Sequence, residues 1–141
     1  MKDLKPVPSK LIPEQMLSQD PFSQWLGVEI LDVEKGRCKV GMTIRKEMLN
    51  SMSKAHGGIS YSLADTAFGF SANTHGKYAV SIETSINHIE ALEEGDYITA
   101  EAVTDIIKTR VGFNIVEVKR GDDIVALFKG VVYRTSKDWE K

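Results

Sequence analysis

A histidine, two glycines and an aspartate stand close together in NSMSKAHGGISYSLADTAFGFSAN, residues 50–73. Gly57 and Gly58 follow His56 directly, and Asp65 lies nine positions after the histidine among apolar and small residues. The first N–H groups of a helix have no partner inside the helix, and glycine leaves them accessible. Because the positive end of the helix dipole adds to them, the segment predicts an oxyanion site at these glycines.

Each of these features also has a structural interpretation. Two glycines allow a tight turn, and a mid-helix aspartate can be solvated or accept a hydrogen bond from Ser62 or Thr66. An unpaired carboxylate on an inward side would cost roughly several kcal/mol. The pattern alone therefore leaves a functional and a structural role for Asp65 equally open.

The spacing between Gly57 and Asp65 limits what they can do together. Eight residues of α-helix correspond to about 12 Å, whereas hydrogen-bond reach is roughly 3 Å. The two residues of one chain therefore cannot both contact one reacting carbonyl. If both are catalytic, each site must combine Gly57 of one chain with Asp65 of another, which predicts a two-fold dimer with facing helices.

A helix and a sheet must position these residues. Residues 57–73 lack strand alternation and place Ile59, Leu63, Ala67 and Phe70 at helical spacing, which predicts a helix of about four turns. A hairpin that turns at residues 34–36 is predicted before it. Four β-rich segments follow it, at 79–92, 96–109, 111–120 and 123–135, with predicted hairpin turns at 93–96 and 120–123. Without crossover helices the sheet must be mostly antiparallel, with the helix on one face, which is an α+β architecture.

The first 20 residues are predicted to be a loose or helical lead-in to a single domain that spans residues 1–141. Residues 1–12 are expected to be loose, and residues 13–19 can form a helix that begins at Pro13. A second short helix is predicted with Asp20 as its N-cap, Pro21 as its first residue and Gly27 as its terminator.

Composition and charge exclude several classes of protein. With 42% hydrophobic and 27% charged residues, the 141-residue chain is typical of a globular domain. A formal net charge of −2 without a basic block argues against nucleic acid. No run approaches the roughly 20 apolar residues that span a membrane, and the N-terminal segment has no apolar region typical of a signal peptide. The protein is therefore expected to stay in the cytoplasm, and the single cysteine, Cys38, which excludes an intrachain disulfide, suits a reducing compartment.

The three histidines do not have the spacing of a metal site, so no metal is expected. His88, in SINHIE, is predicted to be a hydrogen-bonded structural histidine, and His75 a solvated loop residue. The serines between residues 60 and 71 lie inside the predicted helix without a G-x-S-x-G elbow, which argues against a serine hydrolase.

The residues around His56 resemble the active-site segment of PaaI-type acyl-CoA thioesterases of the hot-dog superfamily. The matching residues are Asn50, His56-Gly57-Gly58 and SLADTAF at 62–68. Further similarity in AVSIETSINHIEALEEGDYITAEA and IVALFKGVVYR extends the resemblance over roughly residues 22–134. It implies a hot-dog fold, in which five to six mostly antiparallel strands wrap around one long helix. It also implies hydrolysis of an acyl-CoA without a cofactor, by homodimers that often form dimers of dimers.

The resemblance also implies roles for individual residues. The Gly57 amide would hold the thioester carbonyl oxygen, and Asp65 would act from the partner subunit as general base or nucleophile. Asn50 would help to orient Asp65 or the water. His56 would lie beside the thioester and shape the loop, and Ser81 would hold water.

Substrate binding is further assigned to Gly58, Arg110 and Arg134. Lys108, Arg110, Lys129 and Arg134 lie near predicted strand ends, and the phosphates of coenzyme A require cations. One residue departs from the family pattern: Ser53 stands where the family usually has glycine, three residues before the histidine. This departure concerns the loop that carries Asn50 more than Gly57 or Asp65.

Other functions stay open at this point. Hot-dog proteins also hydrate or dehydrate acyl thioesters, although in hydratases the aspartate is expected before the histidine. A non-catalytic acyl-CoA sensor would be expected to carry a helix-turn-helix and a basic surface, and an oligomer with a decayed site is the third possibility. Phenylacetyl-type, short-chain and medium-chain acyl groups all remain candidates.

Overall fold

A computed structural model describes residues 5–140 as three helices and six strands with two short 3₁₀ turns. In chain order the helices and strands are α1 (Ile12–Ser18), α2 (Pro21–Leu26), β1 (Glu29–Glu34), β2 (Arg37–Thr43), α3 (Gly57–Asn73), β3 (Lys77–His88), β4 (Tyr97–Ile107), β5 (Val111–Arg120) and β6 (Asp123–Asp138). The strands form one antiparallel sheet in the order β1-β2-β4-β5-β6-β3. Within residues 5–140, no helix is long and apolar enough to cross a membrane.

Helix α3 packs on one face of this sheet. Its predicted inward residues Ile59, Leu63, Ala67 and Phe70 are all buried, as the spacing predicted. Close packing also depends on Gly130 of β6, because a Cβ there would lie only 2.6–2.8 Å from ring atoms of Phe68. The α+β prediction of a sheet wrapped around one long helix is therefore confirmed.

Strand β3 runs back along α3 from the end of the helix to its beginning. At the helix end, the Asn73 side chain accepts a hydrogen bond from the Ala79 N–H (3.0 Å) and donates to the Ala79 carbonyl (3.1 Å). Further along, the Tyr61 hydroxyl lies 2.6 Å from the Thr84 hydroxyl. The last residue of β3, His88, therefore lies beside the first turn of α3.

The turn at 93–96 was predicted correctly as a turn but wrongly as a hairpin. Gly95 has a φ of 89°, and the Asp96 carboxylate accepts a hydrogen bond from the Glu93 N–H. The strands on either side do not pair with each other: β3 pairs with β6, whereas β4 lies between β2 and β5. Because pairing depends on contacts distant in sequence, the local turn pattern could not reveal it.

The segment before the sheet is partly as predicted. Asp20 caps α2 by accepting a hydrogen bond from the Ser23 N–H (3.0 Å), and Gly27 ends it with a φ of 80°. The expectation of a loose segment is wrong for residues 6–12, because Ile12 is fully buried and Pro6 bridges to Glu140. Residues 1–4 of the predicted lead-in lie outside the described residues.

Candidate active site

The start of α3 presents one available amide rather than two. His56 is the N-cap residue, and its Nδ1 accepts a hydrogen bond from the Gly58 N–H (2.9 Å). Gly58, which the sequence assigned to substrate binding, therefore uses its N–H inside the cap. Among residues 5–140 the Gly57 N–H has no hydrogen-bond partner. Gly57 is thus the residue that can donate to a ligand at the positive end of the helix dipole.

The loop before His56 is closed by the Asn50 side chain. Its Oδ1 accepts hydrogen bonds from the N–H groups of Met52 (2.9 Å) and Lys54 (3.2 Å). Ser53 has a φ of 57°, in the left-handed region that favours glycine. This explains why a glycine at this position suits the family, and it shows that serine still permits the turn. These two hydrogen bonds hold Asn50 within its own loop, and neither of them involves Asp65 of the same chain.

A cavity of about 330 Å³ opens in front of this loop and the first turn of α3. It is lined by Asn50, Gly57, Ser60, His88 and Leu92, together with neighbouring residues of the two loops. This volume suits the reacting end of a small ligand. Two predicted site residues, Asn50 and Gly57, are therefore brought together in one cavity.

His88 is a member of this cavity that the sequence interpretation missed. Its Nδ1 lies 3.2 Å from the Ser60 hydroxyl, and its Nε2 would lie 3.1 Å from a Cβ at Gly57. The signal in the sequence was the alternation of Thr84, Ile86 and His88, which places all three on one face of a strand. That face lies towards α3, because Thr84 contacts Tyr61 of the helix.

Asp65 lacks the local partners of the structural interpretation. The Ser62 hydroxyl donates to the Gly58 carbonyl (2.6 Å), and the Thr66 hydroxyl lies 3.2 Å from that of Ser23. Among residues 5–140, Asp65 has no hydrogen bond or ion pair, and it is half-buried. Burial raises the pKa of the Asp65 carboxyl above its ordinary value.

The other predicted site residues lie away from the cavity. Ser81 is exposed on β3 between Ala79 and Thr84, so it stands level with the middle of α3. Arg134 donates to the Lys108 carbonyl (2.7 Å) and lies beyond the far end of the helix, as does the exposed Arg110.

His75 also lies at this far end, and it is not the solvated residue that the sequence predicted. It is half-buried, with Nε2 2.9 Å from the Thr104 hydroxyl. Burial, together with the positive charges of Arg134 and Lys35, lowers the pKa of His75. Within residues 5–140, no three metal-ligating side chains cluster, and the expectation that no metal is required stays a prediction.

The fold is that of a hot-dog protein, in which a six-stranded antiparallel sheet wraps around one helix. This helix has a free glycine amide at its start and a half-buried carboxylate in its middle. The chain belongs to the thioesterase superfamily, whose sequence model matches residues 52–127. The predicted family and the predicted class of enzyme, a thioester hydrolase, are thereby confirmed.

Individual relatives agree with this assignment. A curated protein of Archaeoglobus fulgidus is 38% identical over 129 residues, covering 91% of this chain and 84% of that protein. The acyl-coenzyme A thioesterase PaaI of Escherichia coli is 34% identical over 120 residues, covering 84% of this chain and 86% of that protein. The solved structure of E. coli PaaI, from the phenylacetic acid degradation operon, superposes with a TM-score of 0.88 at 31% identity, covering 91% of this chain and 94% of that one.

Proposed function

We propose that the chain is an acyl-CoA thioesterase that hydrolyses the thioester bond of an acyl-CoA to a free acid and coenzyme A. The observation that carries the proposal is the half-buried, unpartnered Asp65 on the same helix that presents the Gly57 amide. The E. coli relative named acyl-coenzyme A thioesterase supports the substrate class. Its origin in a phenylacetic acid operon favours aromatic acyl groups among the short-chain and medium-chain candidates.

In the proposed mechanism the Gly57 N–H donates to the thioester carbonyl oxygen and stabilises the negative charge that develops there. With Asp65 as general base, the water oxygen bonds to the carbonyl carbon while its proton moves to the carboxylate. Collapse of the tetrahedral intermediate then breaks the C–S bond, and coenzyme A leaves as a thiolate. With Asp65 as nucleophile, a carboxylate oxygen bonds to the carbonyl carbon, the C–S bond breaks and coenzyme A leaves as a thiolate; water then hydrolyses the mixed anhydride to the free acid and regenerates the carboxylate. The raised pKa of Asp65 makes it a stronger base than an ordinary carboxylate.

The site requires a second copy of the chain. Gly57 and Asp65 of one chain lie about 12 Å apart along α3, so Asp65 acts in the site of the partner. A stripe of partly exposed residues, Gly58, Ser62, Asp65 and Gly69, provides a surface on which two helices can face each other. We propose a two-fold homodimer in which each site combines Gly57 of one chain with Asp65 of the other.

The edge of the sheet supports this dimer. Strand β3 is an edge strand, and its Val80 and Ile82 are more than half exposed. Pairing of two β3 strands would cover these side chains and satisfy the unpaired backbone groups of the edge. A further association into dimers of dimers has a candidate surface in the exposed apolar residues of the outer sheet face, which include Val103, Phe113, Ile115 and Leu127.

The remaining residues receive roles around this shared site. Asn50 shapes the loop next to Gly57 and helps to orient the attacking water, and His56 holds the first turn through its cap. Ser81, level with the middle of α3, holds water near Asp65. The proposed activity needs no cofactor, because a thiolate is a good leaving group.

The phosphates of coenzyme A have a candidate site at the far end of α3. Lys35, His75, Lys108 and Arg134 line a shallow cavity there that has no acidic lining residue. The Nε of Arg134 is buried without a hydrogen-bond partner among the described residues. We propose that this cluster, with Arg110 on the adjoining turn, binds the phosphates of a coenzyme A whose thioester lies at the Asp65 of the same chain.

The test is hydrolysis of an acyl-CoA panel that includes phenylacetyl-CoA, followed with a thiol-reactive dye. Cys38 should add little background, because it is buried and burial raises its pKa to about 12. Asp65→Asn is expected to reduce kcat by about 100-fold to 10,000-fold, since the base or nucleophile is lost. The matched control Asp105→Asn changes an exposed aspartate of β4 and should retain wild-type activity.

Light scattering and thermal melting establish whether each variant remains a folded dimer. Hydrolysis by Asp65→Asn at the wild-type rate would refute the mechanism. A wild-type protein without activity on any member of the panel would refute the proposed function.

A further inference from the structure

The Nε2 atom of the His88 ring lies next to the first turn of α3. A Cβ built at Gly57 would lie 3.1 Å from Nε2, 3.5 Å from Cε1 and 3.7 Å from Cδ2. The ring therefore points its Nε2 tip at Gly57, with the two flanking carbons further away. Because Gly57 has no side chain, the imidazole tip packs close to its backbone, and both residues line the same cavity.

The other ring nitrogen is held by the protein. Nδ1 of His88 lies 3.2 Å from the Ser60 hydroxyl, which also lies 3.2 Å from the Gly57 carbonyl oxygen. When Ser60 donates to Nδ1, a neutral imidazole carries its proton on Nε2. When Ser60 donates to the Gly57 carbonyl instead, Nδ1 of the neutral ring donates to Ser60 and Nε2 is an acceptor. Nε2 therefore faces the cavity as a donor in the first arrangement, in which Ser60 fixes the tautomer.

His88 Nε2 has no partner in the described part of the chain. Among residues 5–140, no group forms a hydrogen bond with His88 Nε2, and the side chain is exposed in the cavity that contains Gly57 and Asn50. Because water can satisfy a free nitrogen of an exposed histidine, the position of Nε2 beside Gly57 is what points to a ligand, and not its lack of a partner. The free Nε2 and the free Gly57 N–H face the same space.

We propose that His88 is a catalytic residue and the second donor of the oxyanion site: with Ser60 donating to Nδ1, the Nε2–H donates to the thioester carbonyl oxygen that also accepts from the Gly57 N–H. The inference rests on the proposed thioesterase function and deepens it. Two preorganised donors stabilise the charge on the tetrahedral intermediate better than one. Ser60 is a positioning residue, since it acts on the substrate only by holding Nδ1.

Three substitutions of His88 distinguish a role as hydrogen-bond donor to the substrate from a purely structural role. Phenylalanine keeps a ring of similar shape without nitrogen. Asparagine can reach Ser60 in place of Nδ1 but not the space in front of Gly57, whereas glutamine can place an amide nitrogen near the Nε2 position. The control is Asn87→Ala, which changes the neighbouring residue of β3 on the opposite face of the strand.

Steady-state kinetics on the best acyl-CoA of the panel provide the measurement. His88→Phe and His88→Asn are expected to lower kcat by about 100-fold with little change in KM, because the lost bond is strongest in the transition state. His88→Gln should recover to within about tenfold of wild type, and Asn87→Ala should match wild type. Ser60→Ala should lower kcat by about threefold to tenfold. This variant still tests the inference if a His88 variant fails to fold.

Two outcomes would overturn the inference. A folded, dimeric His88→Phe with wild-type kcat would show that His88 donates nothing to the reaction. A His88→Gln as inactive as His88→Asn would assign the defect to lost packing of the ring, because a donor near the Nε2 position would then restore nothing. Either result with an active wild type leaves the thioesterase proposal intact, whereas an inactive wild type overturns both.

Discussion

The first turn of α3 and its middle differ in how much of their chemistry one chain completes. At the first turn, His56 caps Gly58, and Ser60 holds His88 beside Gly57, all within one chain. In the middle, Asp65 is half-buried without a partner among the described residues. A single chain therefore forms the half of the proposed site around Gly57 through its own hydrogen bonds. The half around Asp65 has no partner within the described residues.

This contrast locates a carboxylate that lowers the stability of the folded chain when it is charged. Desolvation of an unpaired carboxylate costs free energy, and folded proteins tolerate such groups mainly at functional sites. Ser62 and Thr66 are the nearest hydroxyl groups in the sequence, and both form hydrogen bonds elsewhere. The carboxylate of Asp65 therefore has no partner among the described residues, as its proposed role in the site of a second chain requires.

The largest effect is expected in a complementation experiment that combines two inactive variants, each of which keeps one half of the proposed site. Asp65→Asn and Gly57→Val are each expected to lose nearly all activity, Gly57→Val because its side chain would meet the His88 ring. When the two are unfolded together and refolded, a heterodimer has one intact site, and half of the dimers are heterodimers. About a quarter of wild-type activity should return.

The matched control for this mixture is Asp65→Asn refolded with the double variant Gly57→Val/Asp65→Asn, in which no pairing restores a site. Mass spectrometry of intact dimers measures the heterodimer fraction. Abundant heterodimers with no recovered activity would contradict a site shared between chains.

A smaller effect is expected on stability. The raised pKa means that folded protein binds a proton at Asp65 more tightly than unfolded protein does. Stability contributed by this group therefore falls as pH rises through the window from the ordinary value, about 3.9, to the raised one. Above that window, Asp65→Asn should melt at a higher temperature than wild type, by about a few degrees.

This difference should narrow as the pH is lowered towards 4, where the wild-type carboxyl becomes protonated. Thermal melts of the two proteins at pH 7 and pH 4 test the sign directly. A variant that melts below wild type at pH 7 would mean that the Asp65 charge is stabilised in the folded protein.

The smallest effect is expected on the stability of the loop before His56, which carries Asn50 and Ser53. Ser53 has a φ of 57°, so Ser53→Gly should relieve backbone strain and raise the free energy of unfolding by about 0.5–1 kcal/mol. The control Ser51→Gly lies in the same loop without a left-handed φ and should be neutral or slightly destabilising. Urea unfolding of both variants measures the difference, and equal effects would rule out strain at Ser53.

Local patterns were sufficient to predict most of the elements and part of the site. The apolar spacing of Ile59, Leu63 and Ala67 predicted α3, and the glycines after His56 predicted the free amide at its start. Helix geometry also predicted that Asp65 cannot serve its own Gly57. These features depend on neighbours within a few turns, which a sequence displays directly.

The missed features all depend on contacts between distant segments. His88 is carried to Gly57 because β3 pairs with β6 and runs back along α3, and neither fact is visible in SINHIE. The pairing of β3 with β6 likewise made the predicted hairpin at 93–96 wrong. Arg110 and Arg134 were chosen by residue type and by their place near predicted strand ends, which does not reveal that they lie at the far end of α3.

The two edges of the sheet have different consequences for handling the protein. Strand β1 is short, irregular between Ile30 and Asp32, and rich in acidic residues, features that discourage further strands from adding to it. Strand β3 is twice as long and exposes Val80 and Ile82 at an open edge. Variants that cannot form dimers are therefore expected to aggregate through β3, and a lysine on this edge would be a reasonable first step towards a well-behaved monomer.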